Sequence, residues 1–424
     1  MRAVICSVKA PIASIVLMMI SIGFFMSFIS IRMRLEGATD TWIGIVQSAY
    51  FTGLLVGSIT VERLIHRVGH IRTFAAFASL CTATILLQEQ LTSYYFWVVI
   101  RFIAGFCIAS MFVVIESWLL DKSSLNTRGR VLSIYMIALY CGQALGQMFV
   151  DRVDLLMPQP FVIAGFICAL SVIPVCMTKE QSPDVQNPII HGILTVFRRS
   201  PFGFTGCFLS GVILACIYSF GPTYAFQKGI SVSYFMSTTI IGGIVLQWGL
   251  GKLSDLVDRR KVLIATAAAT TIPALFLAYA PFPEVWLLIS TFLLGGFCFT
   301  LYPLSIAQVC DKLEHGALTS VTGILLLAFS AGAMVGPLLA PPFMYYLHEG
   351  GLYVFIVWIA LALTALGFFA LYKFDAVPLE EQGEFVSLPA TTPVAYDLDP
   401  RVDPEEENIE VTDDDVWREV DPRK

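Results

Sequence analysis

Charged residues are scarce in this sequence of 424 residues: Asp, Glu, Lys and Arg make up 14% of it, whereas hydrophobic residues make up 57%. A water-soluble protein of this length needs a more polar surface than such a composition can supply. The composition therefore excludes an ordinary soluble protein and indicates a polytopic membrane protein that contacts the lipid bilayer. No nucleic-acid partner is expected.

The patterns that carry catalysis or metal binding are also missing. The ten cysteines stand singly, mostly inside apolar runs, and none shows the C-x-x-C or His/Cys spacing of a metal or redox site. We find no phosphate-binding loop, no nucleophile elbow and no paired carboxylates at a membrane surface. We therefore expect no enzyme, no metal and no bound cofactor, although a proton gradient could supply energy.

Long apolar runs dominate what is present, and each is long enough to cross a bilayer as a helix. They lie near residues 11–31, 43–62, 73–91, 95–117, 131–150 and 160–178, and again near 202–225, 233–251, 262–280, 285–309, 318–340 and 351–373. The first run follows basic residues, as in a signal peptide, but its length of about 20 residues favours a retained helix. The predicted fold class is an all-α membrane protein with twelve transmembrane helices.

Basic residues orient these helices. With the N-terminus in the cytoplasm, seventeen Lys and Arg residues fall at the inner ends and loops, whereas the outer loops hold only Arg32, Arg34, Arg152 and Lys228. This positive-inside bias predicts that both termini are cytoplasmic, and we expect the protein in the plasma membrane.

The chain divides into four predicted segments. Residues 1–178 and 202–374 form six-helix bundles, and residues 179–201 form a cytoplasmic linker between them. Residues 375–424 hold sixteen Asp and Glu against four Lys and Arg, which predicts an acidic, disordered, cytoplasmic tail. This tail could instead be a regulatory element or bind a cytoplasmic partner.

The two bundles resemble each other in the same direction along the chain. RFIAGFC (101–107) recurs as FLLGGFC (292–298), with Gly105 opposite Gly296, and the pair Asp121–Lys122 recurs as Asp311–Lys312. These and two further correspondences have offsets of 189 to 191 residues. A repeated six-helix unit predicts two pseudo-symmetric halves around a central site, as in transporters.

One charged stretch, GKLSDLVDRRK (251–261), resembles the signature loop between helices two and three of major facilitator superfamily transporters. Gly251, Leu253, Asp255, Arg259 and Arg260 match that signature, whereas Leu256 and Asp258 depart from it. Residues 115–137 resemble the connection between helices four and five in bacterial YcaD-like members. The resemblance implies the major facilitator fold over about residues 10–375 and names no substrate.

A cytoplasmic gate is the function that this charged stretch suggests, because carboxylates and arginines at helix ends can pair across the two halves. The first-half counterpart, residues 61–73, is degenerate and has His66 where the signature has Asp. The alternative is a loop that only anchors at lipid headgroups. The gate candidates are Arg63, His66, Arg67, Arg72, Arg128, Arg130, Gly251, Asp255, Arg259 and Arg260.

A few polar residues inside the spans are candidates for the transport path. Arg101 lies within span four and either faces the cavity, as an anion site or an aid to proton coupling, or extends to the outer interface. Glu116 lies about 22 Å further along that helix, where it either couples protons or pairs with Arg128 or Arg130. The amides and aromatic residues either line the path or tie helices together; they are Gln143, Gln147, Gln247, Trp248 and Tyr302.

Two classes of function remain open. The first is a secondary active transporter, driven by protons, that moves a small amphipathic or weakly charged solute by alternating access as a monomer. The second is a non-transporting membrane sensor or scaffold that signals through the acidic tail. Loss of residues 385–424 would leave transport intact in the first class and abolish output in the second.

Overall fold

The computed structural model describes residues 2–177, 192–279, 283–313, 318–373 and 377–402. Within these ranges, helices carry the fold, and twelve of them are long. The first six are α1 (Arg2–Leu35), α2 (Asp40–Thr60), α3 (His70–Gln90), α4 (Tyr94–Asp121), α5 (Arg128–Gln147) and α6 (Gln159–Leu170). The second six are α7 (Pro201–Gln227), α8 (Val232–Leu256), α9 (Arg259–Tyr279), α10 (Glu284–Cys310), α11 (Leu318–Leu347) and α12 (Gly351–Lys373).

Length and apolarity explain why these segments are helices, because only a helix satisfies its own backbone groups in hydrocarbon. Eleven helices of the described chain are long and apolar enough to cross a membrane. Helix α8 is the exception by composition, since Ser, Thr, Gly and Gln are spread among its apolar residues, but at 25 residues it is as long as its neighbours. The predicted all-α fold class is confirmed.

Equivalent helix pairs build the two halves. In the first half α2 packs on α4, α1 on α5 and α3 on α6; in the second, α8 packs on α10, α7 on α11 and α9 on α12. Each pair of one half thus has its counterpart six helices later. This repetition of packing matches the repeat in the sequence.

Glycines set the closest of these contacts. A side chain at Gly105 in α4 would collide with the carbonyl oxygen of Tyr50 in α2, and one at Gly295 in α10 would collide with that of Thr239 in α8. The contact register therefore pairs Gly105 with Gly295, one residue before the Gly296 that the sequence comparison predicted. The similarity of the two apolar sequences could not distinguish Gly295 from Gly296 as the counterpart of Gly105, whereas the backbone contacts do.

The halves meet most closely at one face, which we call the far face, where α1, α3, α5 and α7 end. Helix α2 packs on α11, and α5 packs on α8. Asp151, just beyond α5, accepts hydrogen bonds from the hydroxyl of Ser231 at 2.5 Å and the backbone N–H of Ser233 at 3.0 Å. Ser48 of α2 donates to the carbonyl oxygen of Met334 at 2.6 Å.

The opposite face, where α4, α8 and α10 end, is called the tail face because residues 377–402 lie along it. The predicted disordered tail is wrong for these residues. They form an ordered segment with a short 3-10 helix, Pro393–Leu398, that packs against α4, α5 and α11. Leu388, Tyr396 and Leu398 are buried, so this segment does bury apolar surface, using the helix bundles as its partner. Residues 403–424 and most of the predicted linker lie outside the described residues.

Candidate functional site

A central cavity of about 170 Å³ lies between the two halves. Helices α1, α2, α4 and α5 contribute one wall and α7, α10 and α11 the other, through residues such as Tyr50, Phe112, Tyr140, Phe299 and Phe329. Residues Leu388–Thr391 of the tail form part of its lining. The lining is mainly aromatic and aliphatic, with Gln143, Ser330 and Thr391 among its polar members.

One hydrogen bond crosses the cavity between the halves. The Tyr218 hydroxyl of α7 donates to Gln143 Oε1 of α5 at 3.1 Å. The rings of Tyr218 and Tyr140 both pack on Phe299, with centroids 6.0 and 5.8 Å away. Gln143 therefore lines the cavity in an aromatic setting, and its role in a transport path stays a prediction.

Arg101 lies next to this cavity and does not line it. Its side chain is 1% exposed, so it does not extend to an interface. Its guanidinium carbon stacks 4.2 Å from the ring centroid of Tyr50, and Nη2 donates to Gln47 Oε1 at 2.8 Å. Among the described residues Arg101 forms no ion pair, and its Nε has no hydrogen-bond partner. Tyr50 separates this buried cation from the cavity.

Helix-to-helix hydrogen bonds account for another predicted path residue. Gln147 accepts a hydrogen bond from Ser27 at 2.6 Å and donates to the Gly23 carbonyl oxygen at 2.7 Å. It therefore ties α5 to α1, away from the cavity lining. The small neighbours on α1 are what allow the two helices to approach closely enough for these bonds.

Two adjacent residues of α8 point in different directions. Gln247 is buried and donates to the Ser387 hydroxyl of the tail at 2.6 Å. Trp248 is 67% exposed, and the centroid of its ring lies 4.0 Å from Lys252 Nζ. The prediction that Trp248 lines the path is wrong, because a helical step of about 100° turns it to the outer surface.

Glu116 is fully buried near the end of α4. Its carboxylate accepts a hydrogen bond from the Tyr135 hydroxyl at 2.5 Å and from the hydroxyls of Thr391 and Thr392 in the tail. The predicted partners are different: Arg128 donates to the Val402 carbonyl oxygen at 3.1 Å, and Arg130 is exposed. Hydroxyl groups, rather than arginines, satisfy this carboxylate.

The charged stretch of the second half forms a network around Arg259, which is buried. Its Nη1 pairs with Asp311 at 2.6 Å and its Nη2 pairs with Asp255 at 2.9 Å, both within the second half. Its Nη2 also donates to the Gly383 carbonyl oxygen of the tail at 2.8 Å. Burial raises the pKa of Asp311 to about 6, although the Arg259 charge opposes this shift. Arg260 pairs with Asp258 at 2.9 Å.

These contacts differ from the predicted pairing of arginines across the two halves. Among the described residues, the ion pairs of Arg259 and Arg260 stay within the second half, and the tail is what bridges to the first. Arg67 and Arg72 of the first-half loop are exposed, so they do not match Arg259 in burial. The side chains of Arg63 and His66 lie outside the described part of the chain.

The tail contributes the main residues that sequence reasoning missed. Tyr302 lines the cavity, and its hydroxyl forms a hydrogen bond with that of Tyr396; the hydroxyls of Thr391 and Thr392 reach Glu116. The signal was available: residues 385–398, FVSLPATTPVAYDL, carry one charge within an acidic tail. Such an apolar stretch indicates a surface to be buried.

Comparison with known sequences identifies the relatives of this chain. The sequence profile described as Major Facilitator Superfamily matches residues 12–256 and 231–395. The MFS-type transporter YcaD of Salmonella dublin is 32% identical over 324 residues, which cover 74% of this chain and 83% of the relative. YcaD of Escherichia coli O7:K1 is 28% identical over 352 residues, covering 81% and 91%.

Solved structures show the same fold at low sequence identity. The nucleoside transporter NupG matches with a TM-score of 0.73 and 16% identity, covering 87% of this chain and 99% of that one. A bacterial homologue of the human lysosomal transporter Spinster matches with a TM-score of 0.72 and 13% identity, covering 89% and 97%. These likenesses show the fold alone, whereas the profile and YcaD confirm the resemblance drawn from residues 251–261 and 115–137. The chain therefore belongs to the major facilitator superfamily of membrane transporters.

Proposed function

We propose that this chain is a secondary active transporter that carries a small solute through its central cavity by alternating access. The observation that carries the proposal is the cavity itself, which both halves line and which the contacts of Asp151 and Ser48 seal from the far face. Rocking of one half against the other would open the far face and close the tail face.

The lining supports a small amphipathic or weakly charged solute. None of the described residues that line the cavity is Lys, Arg, Asp or Glu, so they offer no counter-charge to a polyanion or polycation. Aromatic rings can hold a flat apolar part, and the amide of Gln143 can orient a polar group. Arg101, one side chain further back, would contribute positive potential rather than a direct contact.

The tail face is proposed to be cytoplasmic, in the inner membrane of a bacterium, with both termini on that side. The excess of Lys and Arg at the loops of this face supports the orientation. Both walls of the cavity come from one chain, which supports a monomer as the working unit.

Proton coupling is proposed to involve Glu116. Among the described residues it is the one buried carboxylate within a membrane-spanning helix. Buried ionisable residues within membrane helices are typical of proton relays. Arg101, on the same helix, has no ion-pair partner to neutralise it and is the second candidate for this coupling.

The test begins with purified protein and a panel of solutes screened for thermal stabilisation. Solutes that bind are then offered to proteoliposomes under an imposed pH gradient. We expect gradient-dependent uptake of at least one solute. Gln143→Ala should weaken its apparent affinity about tenfold, because a hydrogen bond to a buried polar group is lost.

Trp248→Ala is the matched control, since Trp248 is a large side chain on the outer surface of the same fold. It should leave the apparent affinity unchanged. Binding that neither variant alters would argue against the cavity as the solute site. Stabilisation by a solute without any uptake would argue against transport.

A membrane sensor is the second candidate, and one observation favours it. Because Leu388–Thr391 line the cavity, an occupant would contact the tail directly and could change its position. A sensor would bind its solute in the same screen but would not accumulate it in proteoliposomes, so the uptake assay separates the two functions.

A further inference from the structure

Residues 383–402, which we call the tail strap, cross the tail face and reach into the central cavity. Leu388 is 2% exposed and lines the cavity, and Tyr396 is 1% exposed. The part of the tail strap that is buried most deeply is the apolar stretch 385–398, whose one charge is Asp397. This composition suits the tail-face end of the central cavity, which is aromatic and apolar and which we call the vestibule.

The second half holds the beginning of the tail strap through its charged stretch. The Phe385 N–H donates to Asp255 at 2.8 Å, and the Gly383 carbonyl oxygen accepts from Arg259 at 2.8 Å. The Phe385 ring occupies the space beside Gly251, so that a side chain at Gly251 would collide with it. The residues predicted to form a gate therefore bind the tail strap.

The first half holds the remainder of the tail strap. Thr391 and Thr392 donate to the Glu116 carboxylate of α4, and Arg128 at the start of α5 donates to the Val402 carbonyl oxygen at 3.1 Å. The 3-10 helix Pro393–Leu398 lies between α4 and α5 on one side and α11 on the other. The tail strap is thus a bridge between the halves.

This position has two mechanical consequences. A solute leaving the cavity toward the tail face would meet Leu388–Thr391 in its path. Closure of the tail face would require α4 and α5 to approach α10 and α11, and the tail strap fills that space. Both exit and rocking therefore need the tail strap to leave.

We infer that the tail strap is a tethered plug that holds this transporter in a state sealed at both faces, and that its release permits turnover. This inference rests on the proposed transport function. The occupant of the vestibule is a segment of the same chain, so the plug acts at a high effective concentration and does not depend on protein concentration.

The test measures access to the cavity, which requires no transported solute. Ser330, a cavity residue of α11, is changed to Cys in a background without Cys6, Cys141 and Cys176. A membrane-impermeant maleimide is added from the tail face of oriented vesicles. In the full chain the labelling rate should be low.

Leu388→Glu should raise that rate about tenfold or more, because a buried carboxylate in the apolar vestibule shifts the strap to its released state. Leu379→Glu is the matched control: it places the same residue in the same tail at a position that is 51% exposed. It should label at the parent rate. Equal rates for the parent chain and Leu388→Glu would overturn the plug.

A second variant keeps the strap in place. A β-carbon at Gly251 would lie 3.1 Å from the Cγ of Phe385, so Gly251→Cys combined with Phe385→Cys should bring the two β-carbons within reach of a disulfide. Labelling of Ser330→Cys, assigned to that residue by peptide mass mapping, should stay low in the oxidised protein and should rise on reduction when Leu388→Glu is also present. High labelling of the oxidised triple variant would contradict the plug.

Transport assays then distinguish the two proposals. If labelling follows the expected pattern but no solute is moved, the transport proposal is contradicted and the plug proposal is supported. If the oxidised and the reduced Gly251→Cys/Phe385→Cys protein move solute at the same rate, the transport proposal is supported and the plug proposal is contradicted.

Discussion

At the scale of single residues, helix α4 of the first half holds two buried charged side chains, Arg101 and Glu116. Arg101 stacks on Tyr50 and bonds Gln47, and Glu116 bonds Tyr135. The groups lie on one helix, α4, with Arg101 behind the cavity and Glu116 below it toward the tail face. A charge buried without an ion pair is costly, so its retention indicates a functional role.

Arg101→Ala should reduce uptake to about 1–10% of the parent rate, because a hydrogen bond to a charged group is worth about 1.5–3 kcal/mol. The amount of protein inserted in the membrane should be unchanged. Proteoliposome uptake and the yield of monodisperse protein check both parts. Arg152→Ala, at an exposed arginine of the far face, is the control, and undiminished uptake by Arg101→Ala would remove Arg101 from the mechanism.

Glu116→Gln should retain solute binding and lose accumulation driven by a pH gradient. The amide oxygen can still accept hydrogen bonds from Tyr135 and Thr391, whereas the NH2 group replaces the oxygen that accepts from Thr392, and the side chain has no titratable charge. Uptake measured with and without the gradient should become equal, within a factor of about 2. Accumulation that still follows the gradient in this variant would exclude Glu116 as the coupling group.

At the scale of elements, close helix pairs determine the shape of each half. Helices α2 and α4 meet at Gly53 and Gly105, and the equivalent helices α8 and α10 meet at Gly242 and Gly295. Each of these glycines faces a backbone carbonyl oxygen of the partner helix. In membranes such small residues replace the hydrophobic effect as the source of helix packing.

Gly105→Ala should destabilise the protein by about 1–3 kcal/mol, since the new methyl group would overlap the Tyr50 carbonyl oxygen and force α2 away. Thermal unfolding in detergent measures the effect. Gly249→Ala is the matched control, because nothing lies within 4 Å of a side chain added there. Equal unfolding temperatures for the two variants would contradict the proposed close packing.

At the scale of the whole molecule, the two halves are joined differently at their two faces. The far face is sealed by direct contacts between α5 and α8 and between α2 and α11, whereas the tail strap lies between the halves at the tail face. Alternating access requires the direct contacts of the far face to break once in every cycle.

A disulfide between Asp151→Cys and Ser233→Cys should abolish turnover by locking the far face. The Asp151 carboxylate lies 3.0 Å from the Ser233 nitrogen, so the two positions are adjacent. Uptake by the oxidised protein should fall to about 10% or less and recover on reduction. Each single Cys variant serves as a control, and full uptake by the cross-linked protein would disprove rocking at this face.

Local patterns predicted what depends on neighbouring residues along the chain. Twelve apolar segments, their division into two halves and the charged stretch around Arg259 follow from the preference of each segment for hydrocarbon or water. The direction in which each side chain points around its helix axis was harder to predict from the sequence. Gln247 and Trp248 are neighbours in an apolar helix, and only packing shows that one meets the tail strap and the other faces outward.

By itself, the sequence determined that this protein is a polytopic α-helical membrane protein with a repeated unit, because those properties are sums over local composition. Only the tertiary structure decided that Glu116 bonds threonines about 275 residues away and that an acidic tail hides an apolar strap in the vestibule. The physical reason is that burial of residues 385–398 lowers the free energy only when the two helix bundles are already formed and provide a surface for them. No local sequence pattern encodes that surface.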